Sequence, residues 1–208
     1  MKLKNKKKPT VPQMEAGTYP GVCVGVYAIG EQEAQWNDKT RYREELILVF
    51  EFPGETVEIE GEEKPRQLSR TFTATTSERG GLRKFLKDWR GKDFKSEDEM
   101  GDFELTKLLG QSALISVTLS EKGYANIGSA MKLPKGMPDP DTDTELLSFD
   151  VDEWDDDAFD KLPEWIQNKV KNSMQYKNDH APDAVVDFPE EDPEDEPEPE
   201  DDEEDVPF

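Results

Sequence analysis

From residue 17 to residue 76 the apolar positions recur mostly at every second residue, the period of extended chain with one face buried. GTYPGVCVGVYAIG (17–30) sets Val22, Val24 and Val26 on one face and Cys23 and Tyr27 on the other, with Gly25 marking a bend or bulge. EQEAQWNDKT (31–40) reads as a polar loop. RYREELILVFEFP (41–53) is a second strand: Leu46, Leu48, Phe50 and Phe52 share a face, and Arg41, Arg43 and Glu45 begin the other. GETVEIEGEEKP (54–65) reads as a turn-rich insert. QLSRTFTATT (67–76) is a third strand, its threonines suited to a pleated surface.

The period then changes. In SERGGLRKFLKDWRG (77–91), Leu82, Phe85, Leu86 and Trp89 form one helical stripe, with Ser77 as candidate cap and Gly91 in the place of a left-handed terminal glycine. SEDE (96–99) has capping-box spacing and opens a short helical segment that Gly110 ends. ALISVTLSEKGYANIGSAM (113–131) predicts a hairpin turning near Glu121–Gly123. Three strands, a helix and two strands make a mainly β domain with short helices. Their order is that of the five-stranded Greek-key barrel called the OB-fold, although other small barrels and α+β sandwiches share it. The expected organisation is a flexible basic arm (1–12), an OB-fold nucleic-acid-binding domain (13–133) and an acidic linker (134–153). An amphipathic helical element (154–175) follows, in which Phe159, Leu162, Trp165, Ile166 and Val170 are the apolar positions and Pro163 suits a first helical turn. Residues 176–208 are expected to be a disordered acidic tail.

Charge sharpens that division. Residues 1–138 carry 22 Lys and Arg against 21 Asp and Glu, whereas residues 139–208 carry 4 against 28, so nearly all of the net −23 sits in the last third. A near-neutral body joined to a polyanion implies different partners for the two parts. The single cysteine, Cys23, suits a reducing compartment. The basic start is not followed by the apolar run of a secretory signal, and no stretch is long and apolar enough for a membrane span. The expected location is the cytoplasm, with no membrane partner.

Catalysis finds little support. One histidine, His180, and one cysteine cannot build a nucleophile–base pair or a zinc site. No phosphate-cradling glycine motif is present, RGG at 79–81 being too short. Asp139, Asp141, Asp143 and Asp150 begin the spacing of a calcium loop, but Thr144 stands where its glycine belongs and the bidentate glutamate is missing. No cofactor, metal or enzymatic activity is expected.

Binding finds more. An OB barrel recognises ligands on strands two and three and with the loops joining strands 1–2 and 4–5. Those regions hold Trp36, Lys39, Arg41, Tyr42 and Arg43, then Lys122 and Tyr124, with Arg70 and Phe72 on the third strand. Cations that track phosphates, interleaved with rings that stack on bases, are what single-stranded nucleic acid needs. Each has a plainer reading: Phe72 alternates with Leu68 and Ala74 as a core residue would, Trp89 belongs to the helix stripe, and Arg41 and Arg43 have Glu44 and Glu45 beside them.

The chain closes on DDEEDVPF (201–208), three uncharged residues and a terminal aromatic after a run of acids. A ring, a proline and a free carboxylate suit a docking peptide whose upstream acids steer its approach. EEDVPF resembles the acidic tip of bacterial single-stranded DNA-binding proteins, and the stretch from about 14 to 175 is similar to proteins of phage replication regions thought to coat single-stranded DNA. The resemblance implies an OB-fold and a protein that coats single-stranded DNA during phage replication and recombination in the host cytoplasm. It also implies that Asp205, Val206, Pro207 and Phe208 recruit replication or recombination proteins of the helicase, polymerase, primase or nuclease class. Two alternatives stand beside it: an acidic DNA mimic that inhibits a DNA-binding enzyme, and a scaffold with a solubilising tail. An oligomer is compatible with the sequence.

Overall fold

The computed structural model describes residues 13–36, 39–59 and 61–180. It is mainly β. Strands β1 (Gly17–Trp36), β2 (Lys39–Ile59) and β3 (Glu62–Thr73) form an antiparallel meander, followed by helices α1 (Gly81–Arg90) and α2 (Glu97–Gly101) and a 3-10 turn at Leu105–Leu108. The hairpin of β4 (Ser112–Leu119) and β5 (Ala125–Met131) comes next, then β6 (Leu147–Asp150) and helices α3 (Asp156–Lys161), α4 (Glu164–Lys171) and α5 (Met174–His180). The sheet order is β3-β2-β1-β4-β5, and β6 pairs with β1 as well.

Strand β1 serves two partners along one edge because it is long. Its first part, Gly17–Val22, pairs antiparallel with Ser112–Val117, and Gly25–Ala28 pairs parallel with Leu147–Asp150. Between them the β1–β2 register slips at Cys23/Gly25, the irregularity expected at Gly25. The slip shifts the alternation. Val22, Val24 and Tyr27 therefore share one buried cluster, and Cys23 and Val26 the other, in place of the uninterrupted valine face that the sequence suggests.

The inner cluster follows the predicted pattern. Leu46, Leu48, Phe50, Phe52 and Phe72 meet Leu82, Phe85, Leu86 and Trp89 of α1, with Ile115 and Val117 closing the far side. Phe50 and Trp89 lie 5.1 Å apart between ring centroids, and the indole donates a 3.0 Å hydrogen bond to the Ser112 carbonyl. Gly91 ends α1 at φ 69°, but Gly80, not Ser77, is its N-cap. Arg83, buried on α1, donates to the Asp93 carboxylate at 3.1 Å and to the Phe94 carbonyl at 2.9 Å. With Lys87 it holds the Asp93 carboxyl below its ordinary range.

Two segments expected as loops are ladder instead. Glu31 to Trp36 pair with Glu44 to Lys39 in the β1–β2 ladder, and Thr56 to Ile59 pair with Pro65 to Glu62 in the β2–β3 ladder. Both are mostly polar because they run past the core, although Val57 is buried and Glu31 and Gln32 hydrogen-bond to α5 and α4. A third difference is larger. Residues 147–150, expected within an acidic linker, form β6, and the helical element after it has three helices that seal the outer face of β1 and β2. Phe149, Val151, Phe159, Leu162, Ile166 and Val170 pack there against Val22, Val24, Tyr27, Ile29, Ile47 and Val49.

Candidate nucleic-acid interface

The first group of candidate residues lies on the β1–β2 ribbon. Lys39, Arg41 and Arg43 fall on alternate positions of β2 and so share one face, opposite Trp36, Ala34 and Gln32 in the register. Lys39 and Arg43 are exposed and Arg41 is half-buried. Among the described residues no ion pair engages any of the three, although Glu44 and Glu45 are adjacent in sequence. Glu45 is instead paired with Lys169 of α4 at 3.3 Å. Tyr42 lies on the other face, opposite Glu33. Trp36 ends β1, and its side chain lies outside the described residues. The ribbon is thus a cationic stripe that continues the outer face of β2 past the helices.

The second group sits at the other end of β1. The turn after β4 carries Lys122 and Tyr124, closed by Ser120 and Tyr124 backbone bonding at 2.9 Å and by Gly123 at φ 78°. Tyr124 is 59% exposed, and Leu119 beside it is 48% exposed. Gln13 Oε1 accepts from the Ala125 amide at 3.2 Å, so the chain leaves toward the lysine-rich residues 1–12 from this turn. The register therefore keeps the two loops apart, one at each end of the 20-residue β1.

The third group is not available as a binding surface. Phe72 is 5% exposed and packs on Phe85 with centroids 4.9 Å apart, so it belongs to the core. Arg70 stands over the Phe72 and Phe85 rings at 4.8 and 5.4 Å. Its Nη1 donates to the Ile127 carbonyl at 3.2 Å and to the Gly128 carbonyl, bridging β3 to β5, which no ladder joins. Burial pulls its pKa below the ordinary arginine value. Arg70 thus ties β3 to β5, a role that residue type alone does not distinguish from phosphate binding.

The outer face of β2 is occupied. Besides the helices, the acidic segment before β6 crosses it. Glu51 is 1% exposed and accepts hydrogen bonds from Thr142 and Thr144 hydroxyls, each at 2.5 Å, and from Gln67 at 3.0 Å. A buried carboxylate with three donors is a satisfied anchor, one that sequence reading did not single out. What remains open on this side is the polar row of β3: Gln67, Ser69, Thr71 and Thr73.

No family model matches the chain, and neither a curated protein nor a solved structure matches it. The tip residues Asp205, Val206, Pro207 and Phe208 lie outside the described residues. Among the described residues no group of acidic, histidine or cysteine side chains is placed to hold a metal, and no helix is long and apolar enough to cross a membrane.

Proposed function

We propose that the chain is a single-stranded DNA-binding protein built on an OB-fold, which contacts the strand through the β1–β2 ribbon and the β4–β5 turn. It rests chiefly on the stripe of Lys39, Arg41 and Arg43 along one face of a projecting ribbon, close to Tyr42 and Trp36. Three cations on a ribbon with aromatic neighbours suit a phosphate backbone with splayed bases. The connectivity supports the fold assignment: a three-stranded meander, a helix under the inner core, and a hairpin whose β4 pairs with β1 while β5 approaches β3 through Arg70. Residues 201–208 add the docking tip, and the role in phage replication and recombination follows from the resemblance of that tip and of the body.

The test is fluorescence anisotropy of labelled single-stranded and duplex oligonucleotides across a salt series. Salt-sensitive, sequence-tolerant binding to the single strand is expected from the full chain, and no binding at any salt overturns the reading in favour of an acidic mimic or a scaffold. Truncation has a natural limit. A chain cut near Leu133 would lose β6 and α3–α5 and expose the outer cluster, so the acidic tail is to be removed after His180. Tighter binding by that shorter chain at low salt is the expected sign that residues 181–208 compete with phosphate. Deleting Phe208 alone should leave DNA binding intact and abolish capture of a tip-binding partner.

A further inference from the structure

Strand β6 uses only one edge. It pairs with β1 from Gly25↔Leu147 to Ala28↔Asp150, and its other edge has no ladder partner among the described residues. A groove of about 390 Å³ lies between β6 and the turn Phe103–Thr106. The floor is apolar, with Val26, Ala28 and Leu46. The rim is acidic: Glu104, Asp150, Glu153 and Asp155 line it, and no lysine or arginine does. Two rim carboxylates have a lysine in range among the described residues: Glu104 pairs with Lys107 at 2.9 Å, both side chains well exposed, and Asp155 interacts electrostatically with Lys161. The negative field extends behind the groove, where burial and the carboxylates of Asp152, Glu31 and Asp150 push the Glu44 carboxyl above its ordinary value.

An open strand edge, an apolar floor and an acidic rim together fit an extended peptide that alternates cations with uncharged residues. The chain contains such a segment outside the described residues. In MKLKNKKKPTVP (1–12), Lys2, Lys4 and Lys6 alternate with Met1, Leu3 and Asn5, and Lys7 and Lys8 follow. Over residues 1–6 in extended form the three lysines fall on one side and Met1, Leu3 and Asn5 on the other.

We propose that residues 1–6 of a second copy of this chain lie in the groove beside β6, with Met1 and Leu3 on the apolar floor and Lys2, Lys4 and Lys6 at the carboxylate rim. The second copy is required by reach. Gln13 is fixed at the β4–β5 turn, by the Gly17 end of β1, whereas the groove opens beside Val26. The intervening strand covers roughly 30 Å at about 3.3 Å per residue. Twelve residues extend to about 40 Å at most, so an arm crossing to its own groove would have too few residues left to lie in it. Arm and groove are different surfaces, which makes the contact head-to-tail and open-ended. The association needs no nucleic acid, so its failure would leave the proposed DNA binding untouched.

The test is sedimentation velocity of the full chain without DNA, over a range of protein and salt concentrations. Expected is a mass that grows beyond a dimer with concentration at low salt and falls back toward the monomer at high salt. Two exposed-site variants follow: K2E/K4E/K6E in the arm, and E104K/E153K on the rim. Each alone should weaken association about ten-fold, and an equimolar mixture of the two should regain it, because each reversed arm then meets a reversed groove on another copy. A circular dichroism melt unchanged from the parent shows that neither variant has lost its fold. A monomer at every concentration and salt overturns the proposal, as does association that survives both reversals or a mixture that fails to recover.

Discussion

On its inner face the sheet packs against α1, a helix that directly follows the meander in sequence. On its outer face the same strands pack against β6, α4 and their neighbours, which arrive from the far end of the described chain. The inner cluster is aromatic and interlocked, Phe50, Phe72, Phe85 and Trp89 touching ring to ring. The outer one is mostly aliphatic and is fastened by polar clasps: Glu51 to Thr142 and Thr144, Glu45 to Lys169, and the Glu31 amide to Gln175 Oε1 at 2.9 Å. Subglobal opening differs between regions of one domain. The outer cluster is expected to open first, because its cover arrives last in the described chain, and the segment 139–180 is a structural part of the domain rather than a linker to a tail.

The largest effect expected is at the centre of the inner cluster. Phe50→Ala should cost about 3–5 kcal/mol, against roughly 2–5 kcal/mol for Ile166→Ala in the outer one. The difference that matters is in hydrogen exchange. Ile166→Ala should raise exchange in β6 and α3–α5 while β2, β4 and α1 stay protected, whereas Phe50→Ala should raise it everywhere. Equal loss of protection in both variants would mean that the two clusters open as one unit.

Next is Gly30. Its φ is 74°, and a Cβ there would stand 2.5 Å from Gln175 Oε1 and 2.9 Å from Val151 Cγ1. The left-handed backbone and the close approach of α5 both demand glycine, so Gly30→Ala is expected to cost about 1–3 kcal/mol. Its exchange signature should match that of Ile166→Ala, because both release the same cover. A melt unchanged from the parent would show that α5 is not held against β1 in solution.

The contrast between the faces also explains what can be read from the sequence. Leu46, Leu48, Phe50 and Phe52 alternate without interruption, and Leu82, Phe85, Leu86 and Trp89 keep helical spacing, so the inner cluster is legible residue by residue. The outer one is obscured twice. A register slip after Cys23 moves Tyr27 onto the face of Val22 and Val24 and Val26 off it, which no periodicity count anticipates. Phe149, Val151 and Phe159 stand singly among aspartates, so averaged charge hides them. Many of those aspartates have local work that leaves them exposed. Asp155, for one, caps α3 through the Asp157 and Ala158 amides, and acids in a first helical turn are favourable. The candidate site was legible in part. Arg41 and Arg43 keep the shared face read from the sequence, and Lys39, expected in a loop, joins them. Arg70 and Phe72, by contrast, show that a cation and a ring on a strand can equally serve the core and tie two strands together.

That last distinction gives a pair of variants with opposite signatures. Arg70→Met keeps an apolar stem and loses the bonds to the Ile127 and Gly128 carbonyls, so about 1–3 kcal/mol of stability should go. The salt dependence of single-strand binding should stay the same. R41A/R43A should leave the melt within about 0.5 kcal/mol of the parent. It should also flatten the slope of log affinity against log salt by about 0.7 for each phosphate contact removed. A stability loss in R41A/R43A, or a slope change in Arg70→Met, would reverse the assignments.

The smallest effect separates the acidic edge from the rest of the surface. Glu44 lies opposite Glu31 in the β1–β2 register, and burial together with Asp152, Glu31 and Asp150 raises its folded-state pKa above 4.5. A carboxyl whose pKa is raised on folding destabilises the folded state wherever it is ionised. The cost is complete above the raised value and absent below the unfolded one. Glu44→Gln should therefore stabilise the chain at neutral pH, by less than about 1 kcal/mol for a group this exposed, and the gain should vanish as the pH falls below about 4.5. Urea melts at the two pH values measure it. Occupation of the β6 groove by lysines would supply the missing counter-charge, so the gain at neutral pH should also shrink as protein concentration rises. A gain independent of pH would trace the effect to packing rather than to crowded carboxylates.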